Sequence, residues 1–308
     1  MNCLKKILLP MIVLIVVIAV MTGCGGERSD KIFYLNHDNT DFFGGMLIRE
    51  EVARFAQTKG LNIDFYDAKG DSNTQMDQMK EALKNNPQAI VLLAIDGDGM
   101  IPFVKRANEI GIPIVTVNRD ANDGERIRVT SDDFEAGKLQ ANYMAQKLPQ
   151  GANVVYLEGT ANLLLSQKRW DGFKKELNAK RPDIQILDMQ DGKFSKAEAM
   201  KITALWLSIY PKIDAVVCGN DQMALGAIAA LKSANRLTGC LVSGIDAVDD
   251  ALKAIAAGEM VQTIKQDGIK QADSVVEILE TISKGGKPTD IEIPYTSITK
   301  DNLAQFKK

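Results

Sequence analysis

The 308-residue sequence is short of the groups on which most enzymatic chemistry depends. It holds one histidine, His37, so any Ser-His-Asp or Cys-His arrangement would rest on that residue alone. It has no Gly-x-Ser-x-Gly elbow, no phosphate-cradling Gly-Lys-Ser/Thr loop and no Gly-x-Gly-x-x-Gly turn. Carboxylates are plentiful, but none is paired in a way that singles out acid–base work, and the expectation is a protein that is not an enzyme. A net charge of −3 lacks the basic excess of nucleic-acid binders and excludes that partner. Only four cysteines occur, with no metal-type Cys/His spacing, so neither a metal nor a cofactor is expected.

Long apolar runs are also scarce: one extends from Ile7 to Met21, behind Lys5 and Lys6, and ends at Met21-Thr22-Gly23-Cys24. A positive start, a short apolar core and a small residue before the cut describe a secretory signal, and the core is short for a bilayer span. Cysteine directly after Gly23 gives the segment the look of a bacterial lipoprotein signal. The expected organisation is therefore a signal over 1–23, lipidation of Cys24, a polar tether over 24–30, and an exported chain anchored to the outer face of the cell membrane. Cys218 and Cys240 remain, and in an exported protein a disulfide must be considered. If their apolar runs are neighbouring parallel strands, the sulfurs lie at opposite ends, and two buried free thiols are the favoured outcome.

About 280 residues follow the tether, which suits two lobes better than one core. Short apolar runs alternate with amphipathic ones from Lys31 onward. Strands are expected at 31–35, 62–66, 89–94 and 113–117, with helices at 44–59, around 76–83 and at 101–110. The pattern restarts with helices at 135–148, 167–180, 196–209 and 222–234 and strands at 153–157, 184–188, 215–218 and 241–245. Strict alternation of this kind means parallel sheets with crossover helices, and two successive runs mean two doubly wound α/β lobes. A strand at 261–264, a helix at 268–284 and a strand at 291–294 fit either lobe by pattern.

Polar groups gather just after the strands, where open α/β sheets bind ligands. Asn36 to Phe43 follow the first strand, Asn118-Arg119 the fourth, and Asn220-Asp221 and Asp246 two strands of the second run. Each has a plain alternative, since Asn and Asp also cap helices and form turns.

Together with Asp41-Phe42-Phe43, Val117-Asn118-Arg119, Arg169-Trp-Asp-Gly-Phe173, Gly219-Asn-Asp-Gln-Met-Ala-Leu-Gly226, Gly244-Ile-Asp246 and Gln262-Thr-Ile-Lys-Gln266, these segments resemble the periplasmic sugar-binding proteins of the ribose and galactose group along nearly the whole mature length. Asn118 and the tail are more similar to the galactose/glucose binders; the ribose binders would place Asp at Asn118. The resemblance implies a type I architecture whose three chain crossings fall near 131–133, 266–267 and 294–295. The lobes would comprise 31–131 with 267–293, and 132–266 with 294–308.

It further implies that Phe43 and Phe194 sandwich a sugar ring, whose C–H face is apolar. Asp41, Asn118, Arg119, Arg169, Asn220, Asp246 and Gln266 would hold the hydroxyls, with Arg119 equally suited to pairing a carboxylate at the rim. Trp170 and Trp206 read as packing residues and Asp221 as the cap of the following helix. The partners implied are a monosaccharide, hexose favoured, and an ABC permease, with a monomeric chain anchored by lipid. A ligand-presenting module for a chemoreceptor or sensor kinase is the alternative, as is another polyol such as a pentose or cyclitol. Two departures stand out. Leu163-Leu164-Leu165 replaces polar residues ahead of Arg169, making one wall greasier, with Gln167 a partial substitute. The connection Leu148-Pro-Gln-Gly151 lacks the acidic cluster of the family's calcium loop, so no calcium site is expected there.

Overall fold

A computed structural model describes residues 28–161 and 163–306; the signal, Cys3, Cys24 and Asn162 lie outside the described residues. The first run forms β1 (Ile32–Asn36), α1 (Arg49–Lys59), β2 (Ile63–Asp67), α2 (Ser72–Lys84), β3 (Ala89–Leu92), α3 (Ile101–Glu109), β4 (Ile114–Val117) and β5 (Ile127–Thr130). The second forms α4 (Asp133–Lys147), β6 (Asn153–Glu158), α5 (Leu164–Lys180), β7 (Gln185–Asp191), α6 (Lys196–Ile209), β8 (Ala215–Cys218), α7 (Asp221–Ser233), β9 (Leu241–Asp246), α8 (Asp249–Ala257) and β10 (Gln262–Lys265). Then come α9 (Gly268–Ser283), β11 (Ile291–Glu292), β12 (Thr296–Thr299) and a short 3₁₀ turn at Leu303–Gln305.

Two six-stranded sheets result, ordered β2-β1-β3-β4-β5-β11 and β7-β6-β8-β9-β10-β12. Every described strand pair is parallel except β10 with β12. Both lobes therefore repeat one order, with the reversal of winding beside β1 in the first and β6 in the second. Central strands β1, β3, β4 and β8 are buried at every residue, as strands covered by helices on both faces must be. The chain passes between the sheets three times: after Thr130, after Lys265 and after Glu292. Helix α9 packs on α1, β4 and β5, and β11 joins β5, so the final helix belongs to the first lobe. Strand β12 and Leu303 close the core of the second.

Sequence patterning missed β5, α8 and β12. Strand β5 has only four residues with mixed burial, too short for an alternation to register. The helix expected from Gly44 to Lys59 is divided: Phe42–Ile48 winds as a π-helical turn before α1 begins. Asp41 starts that turn, its carboxylate accepting from the amides of Gly44 at 2.9 Å and Gly45 at 3.2 Å. Glycine is required at 45, because a Cβ there would lie 1.8 Å from the Asp38 carbonyl oxygen. Strand β8 lies parallel to β9 with Ala215 opposite Leu241, which sets Cys218 at one end of the pair and Cys240 at the other; both are buried free thiols. Trp206 is buried and donates its indole N–H to Asp188 at 2.8 Å, and Trp170 packs on Tyr156.

Helices α4 and α5 cross backbone to backbone. A Cβ at Gly137 would approach the Arg169 carbonyl oxygen to 2.0 Å, and one at Gly172 the Phe134 carbonyl oxygen to 2.1 Å. This contact brings Asp133, at the start of α4, against Arg169 on α5. Gly172→Ala should therefore force the helices apart, lowering stability in urea denaturation by about 1–3 kcal/mol.

Candidate functional site

The ends of β1, β4, β6, β7, β8, β9 and β10 converge between the lobes on a cavity with an empty volume of about 290 Å³. Its walls are Asp41, Phe43, Asn118 and Arg119 from the first lobe and Leu165, Arg169, Phe194, Asn220, Asp246 and Gln266 from the second lobe and its exit. All nine residues expected from the sequence thus line one space.

Backbone strain concentrates here. Asn118 (φ +61°), Phe194 (φ +55°) and Asp246 (φ +122°) all hold left-handed conformations that cost non-glycine residues energy. The Phe194 ring lies over Gly159, where a Cβ would come within 2.0 Å of its Cζ. Arg119 reaches across from the first lobe, its guanidinium 5.4 Å from the centre of the Phe194 ring.

Polar groups fall into two sets. One is held by bonds within the protein. Arg169 Nε donates to Asp133 Oδ1 at 2.9 Å, Nη1 to the Gly219 carbonyl at 2.7 Å and Nη2 to the Tyr295 hydroxyl at 2.9 Å. Tyr295 in turn donates to Asp133 Oδ1 at 2.7 Å, closing a triangle. Burial works against the Arg169 charge, but Tyr295, Asp133 and Asp246 outweigh it and raise its pKa. Burial also lifts the Asp133 carboxyl, against the pull of Arg169.

The other set is left open. Asp246 has no side-chain hydrogen bond among the described residues, and the buried Gln266 Oε1 has no partner there. Asn220 caps α7 by accepting from the Met223 amide at 2.9 Å, which leaves its NH₂ for the cavity. Asn220 thus caps α7, the plain alternative its position suggested, and also lines the cavity. Asp41 Oδ2 takes the two glycine amides and lies 3.2 Å from His37 Nε2, while neither nitrogen of the buried His37 ring has a well-aligned partner. Burial and Arg119 lower the His37 pKa and keep the ring neutral. Burial pushes the Asp41 pKa up, but the His37 contact and Arg119 overcome it and hold the carboxylate ionised. Among the described residues Arg119 forms no ion pair within 4.0 Å, so the rim-pairing alternative does not hold there, and its guanidinium meets the Phe194 ring. Burial lowers its pKa and Asp41 offsets this.

Three expectations change. Asp221 is not the cap of α7; it is buried inside the lobe, accepting from Thr263 Oγ1 at 2.7 Å and the Val248 amide at 3.0 Å. Gln167 is exposed and donates to the Ala161 carbonyl, away from the cavity. Of the leucine run, only Leu165 lines the cavity, while Leu163 is buried. Sequence reasoning also missed Asp133 and Tyr295 as supports of Arg169. Both fell at expected chain crossings, yet nothing in their spacing joined residues 162 positions apart. Among the described residues no group of three or more His, Cys, Asp or Glu side chains gathers to hold a metal.

A model of the periplasmic binding protein domain matches residues 32–287. A putative rhizopine-binding protein of Rhizobium meliloti is 31% identical over 272 residues, 85% of this chain and 88% of that protein. A ribose import binding protein of Escherichia coli is 27% identical over 261 residues, 83% and 86% of the two chains. The crystal structure of an ABC transporter solute binding protein of Bacillus halodurans with bound myo-inositol superposes with a TM-score of 0.85 at 28% identity, covering 92% of this chain and 99% of that one. The chain belongs to the periplasmic binding protein family, in its type I sugar-binding group, whose members serve ABC importers. It is a binding protein and not an enzyme.

Asp221 and Asp246 are buried near one another, and burial pushes the Asp221 pKa up to about 7; Asp246 rises through burial and the proximity of Asp221, opposed by Arg169. A folded-state pKa above the unfolded value means stability present at low pH and lost as pH climbs through the folded pKa. Urea denaturation of wild type and Asp221→Asn between pH 4 and pH 7.5 checks this. The stability difference should move in favour of the variant by more than about 1 kcal/mol as pH rises, whatever constant cost the amide imposes.

Proposed function

We propose that this protein captures a neutral polyhydroxylated ring, a monosaccharide or cyclitol, between its lobes and delivers it to an ABC permease. The observation that carries the reading is the cavity itself: two phenylalanine faces from opposite lobes, ringed by carboxylate, amide and guanidinium groups whose hydrogen bonds are partly unspent. A polyol suits such a wall because it offers apolar C–H faces to the rings and hydroxyls that both donate and accept. Asp41 and Asp246 would accept, Arg119 and Arg169 would donate, and Asn118, Asn220 and Gln266 would do either. Charge-assisted bonds of this kind are the stronger ones. A hexose of the galactose or glucose type is the form that Asn118 favours; rhizopine, ribose and myo-inositol, named for the relatives, support the wider polyol class. Leu165 favours a ligand with one less polar edge.

Binding by hinge closure follows from the wall's division. A ligand held first by Asp41, Phe43, Asn118 and Arg119 gains the second lobe's contacts only when the lobes meet, so it favours the closed form. The lobes would turn about the three crossings, as units 31–131 with 267–293 and 132–266 with 294–308. Lipidation of Cys24 would then keep the capture site beside the permease, a short tether above the outer face of the membrane. Cys24→Ala should release the mature chain from the membrane fraction into the soluble one, read by fractionation and immunoblot.

Thermal-shift measurements on the mature chain with ribose, galactose, glucose, xylitol and myo-inositol test the ligand class. One of them at a hundredfold excess over Kd should stabilise by about 2.7 kcal/mol, or roughly 5–10 °C. Asp246→Ala should remove that shift and leave the unliganded transition cooperative. A shift with amino acids or peptides only would overturn the ligand class.

A further inference from the structure

The chain leaves β9 through strained backbone. Asp246 (φ +122°) and Ala247 (φ +59°) follow one another at positive φ, a conformation that residues with a Cβ adopt rarely. Two such residues in a row persist only where their surroundings over-determine them. Here the surroundings are Asp221 and Thr263. The Val248 amide donates to Asp221 Oδ2 at 3.0 Å, and the Ala247 amide donates to Thr263 Oγ1 at 3.2 Å. The Thr263 hydroxyl donates in turn to Asp221 Oδ1 at 2.7 Å, so one carboxylate and one hydroxyl hold both amides that follow Asp246. Three elements meet at this point: Asp221 opens α7, Thr263 lies in β10, and β9 passes between them at Gly244, in register with Thr263. A Cβ at Gly244 would lie 2.1 Å from Asp221 Oδ1, so the missing side chain is what admits the carboxylate. Asp221 and Thr263 are fully buried, and neither lines the polyol cavity.

Resting on the polyol reading, we infer that Asp221 and Thr263 are positioning residues for ligand binding: the pair fixes the backbone turn that aims the Asp246 carboxylate at the solute. Asp246 has no side-chain hydrogen bond among the described residues, so the backbone that carries it sets where its oxygens lie. Binding groups need to be held within about 0.5 Å of their productive place, and a charged acceptor loses most when it is moved. The same Asp221 carboxylate ties the start of α7 to that turn. Its neighbour Asn220, which caps the helix through the Met223 amide, lines the cavity beside Asp246. One buried pair thus sets two cavity walls relative to each other, and neither member touches the solute.

Isothermal titration of the mature chain with ribose, galactose, glucose, xylitol and myo-inositol, and with monodeoxy derivatives of each parent that binds, tests the role. Thr263→Val keeps the volume and removes the hydroxyl; Asp221→Ala removes both acceptors. Each should weaken the parent by about tenfold or more, while the unliganded variant still melts in one cooperative transition. If either does not fold, the other carries the test. Thr263→Ser, which keeps the hydroxyl, should stay within about threefold of wild type. The pattern of loss separates positioning from stability alone: the deoxy derivative least affected by Asp246→Asn should also be least affected by Thr263→Val and Asp221→Ala. Full affinity in both variants would overturn the role and leave the polyol reading standing. Losses spread evenly over the deoxy series, or shared by Thr263→Ser, would overturn it too. Silence of the wild type toward every parent would overturn the polyol reading, and the positioning role with it.

Discussion

The Arg169 guanidinium is the group on which the rest of the molecule turns. It is nearly buried, and a buried charge persists only where its donors are met. Its partners come from three places far apart in sequence: Asp133 just after the first crossing between the lobes, Gly219 at the carboxyl end of β8, and Tyr295 inside the last crossing. One cation thus ties two hinge strands to the floor of the cavity. It also sets the local field that opposes the rise in the Asp246 pKa. Glycines at 137 and 172 are the permissive condition, since only without side chains can α4 and α5 approach closely enough for Asp133 to reach Arg169.

Around that fixed point the cavity divides its labour. Asp41, Asn220 and Arg169 are oriented by bonds within the protein, to two glycine amides, to the start of α7 and to the Asp133–Tyr295 pair, and would offer their remaining groups to a solute. Groups that would meet the solute have bonds to spare, Asp246 and the Gln266 carbonyl foremost. Unspent polar groups in a buried space are costly, about 1–3 kcal/mol each, and the cost is recovered when a partner arrives. An empty closed form is thereby penalised relative to a filled one, which is what a capture protein needs.

Much of this was legible in the sequence, for definable reasons. The alternation of apolar runs announced parallel sheets because strands covered on both faces cannot disguise their composition, and β1, β3, β4 and β8 are wholly buried. The strand ends drew attention to Asp41, Asn118, Asn220 and Asp246, while Phe43, Arg169, Phe194 and Gln266 could be named only through the resemblance to the sugar-binding proteins. What stayed hidden was what only three dimensions join. The Asp133–Tyr295 bond spans residues with no local signature, and Asp221 looked like a cap because it sits one residue inside the true one, Asn220. Strand β5 was too short to show a period, and the π-helical turn after Asp41 relies on the close approach of Gly45 to the Asp38 carbonyl, which no propensity records.

The left-handed backbone at Asn118, Phe194 and Asp246 has a bearing on how such a protein diversifies. Asparagine and aspartate tolerate that conformation far better than other side chains with a Cβ. At 118, where φ is +61°, the backbone therefore favours amide or carboxylate, a swap that exchanges a donor for an acceptor without disturbing the chain. Leu165, in the first turn of an ordinary helix, is under no such restriction. The backbone thus restricts the choice of side chain at 118 and leaves it free on the α5 wall. New solutes would be acquired through the latter and discriminated through the former.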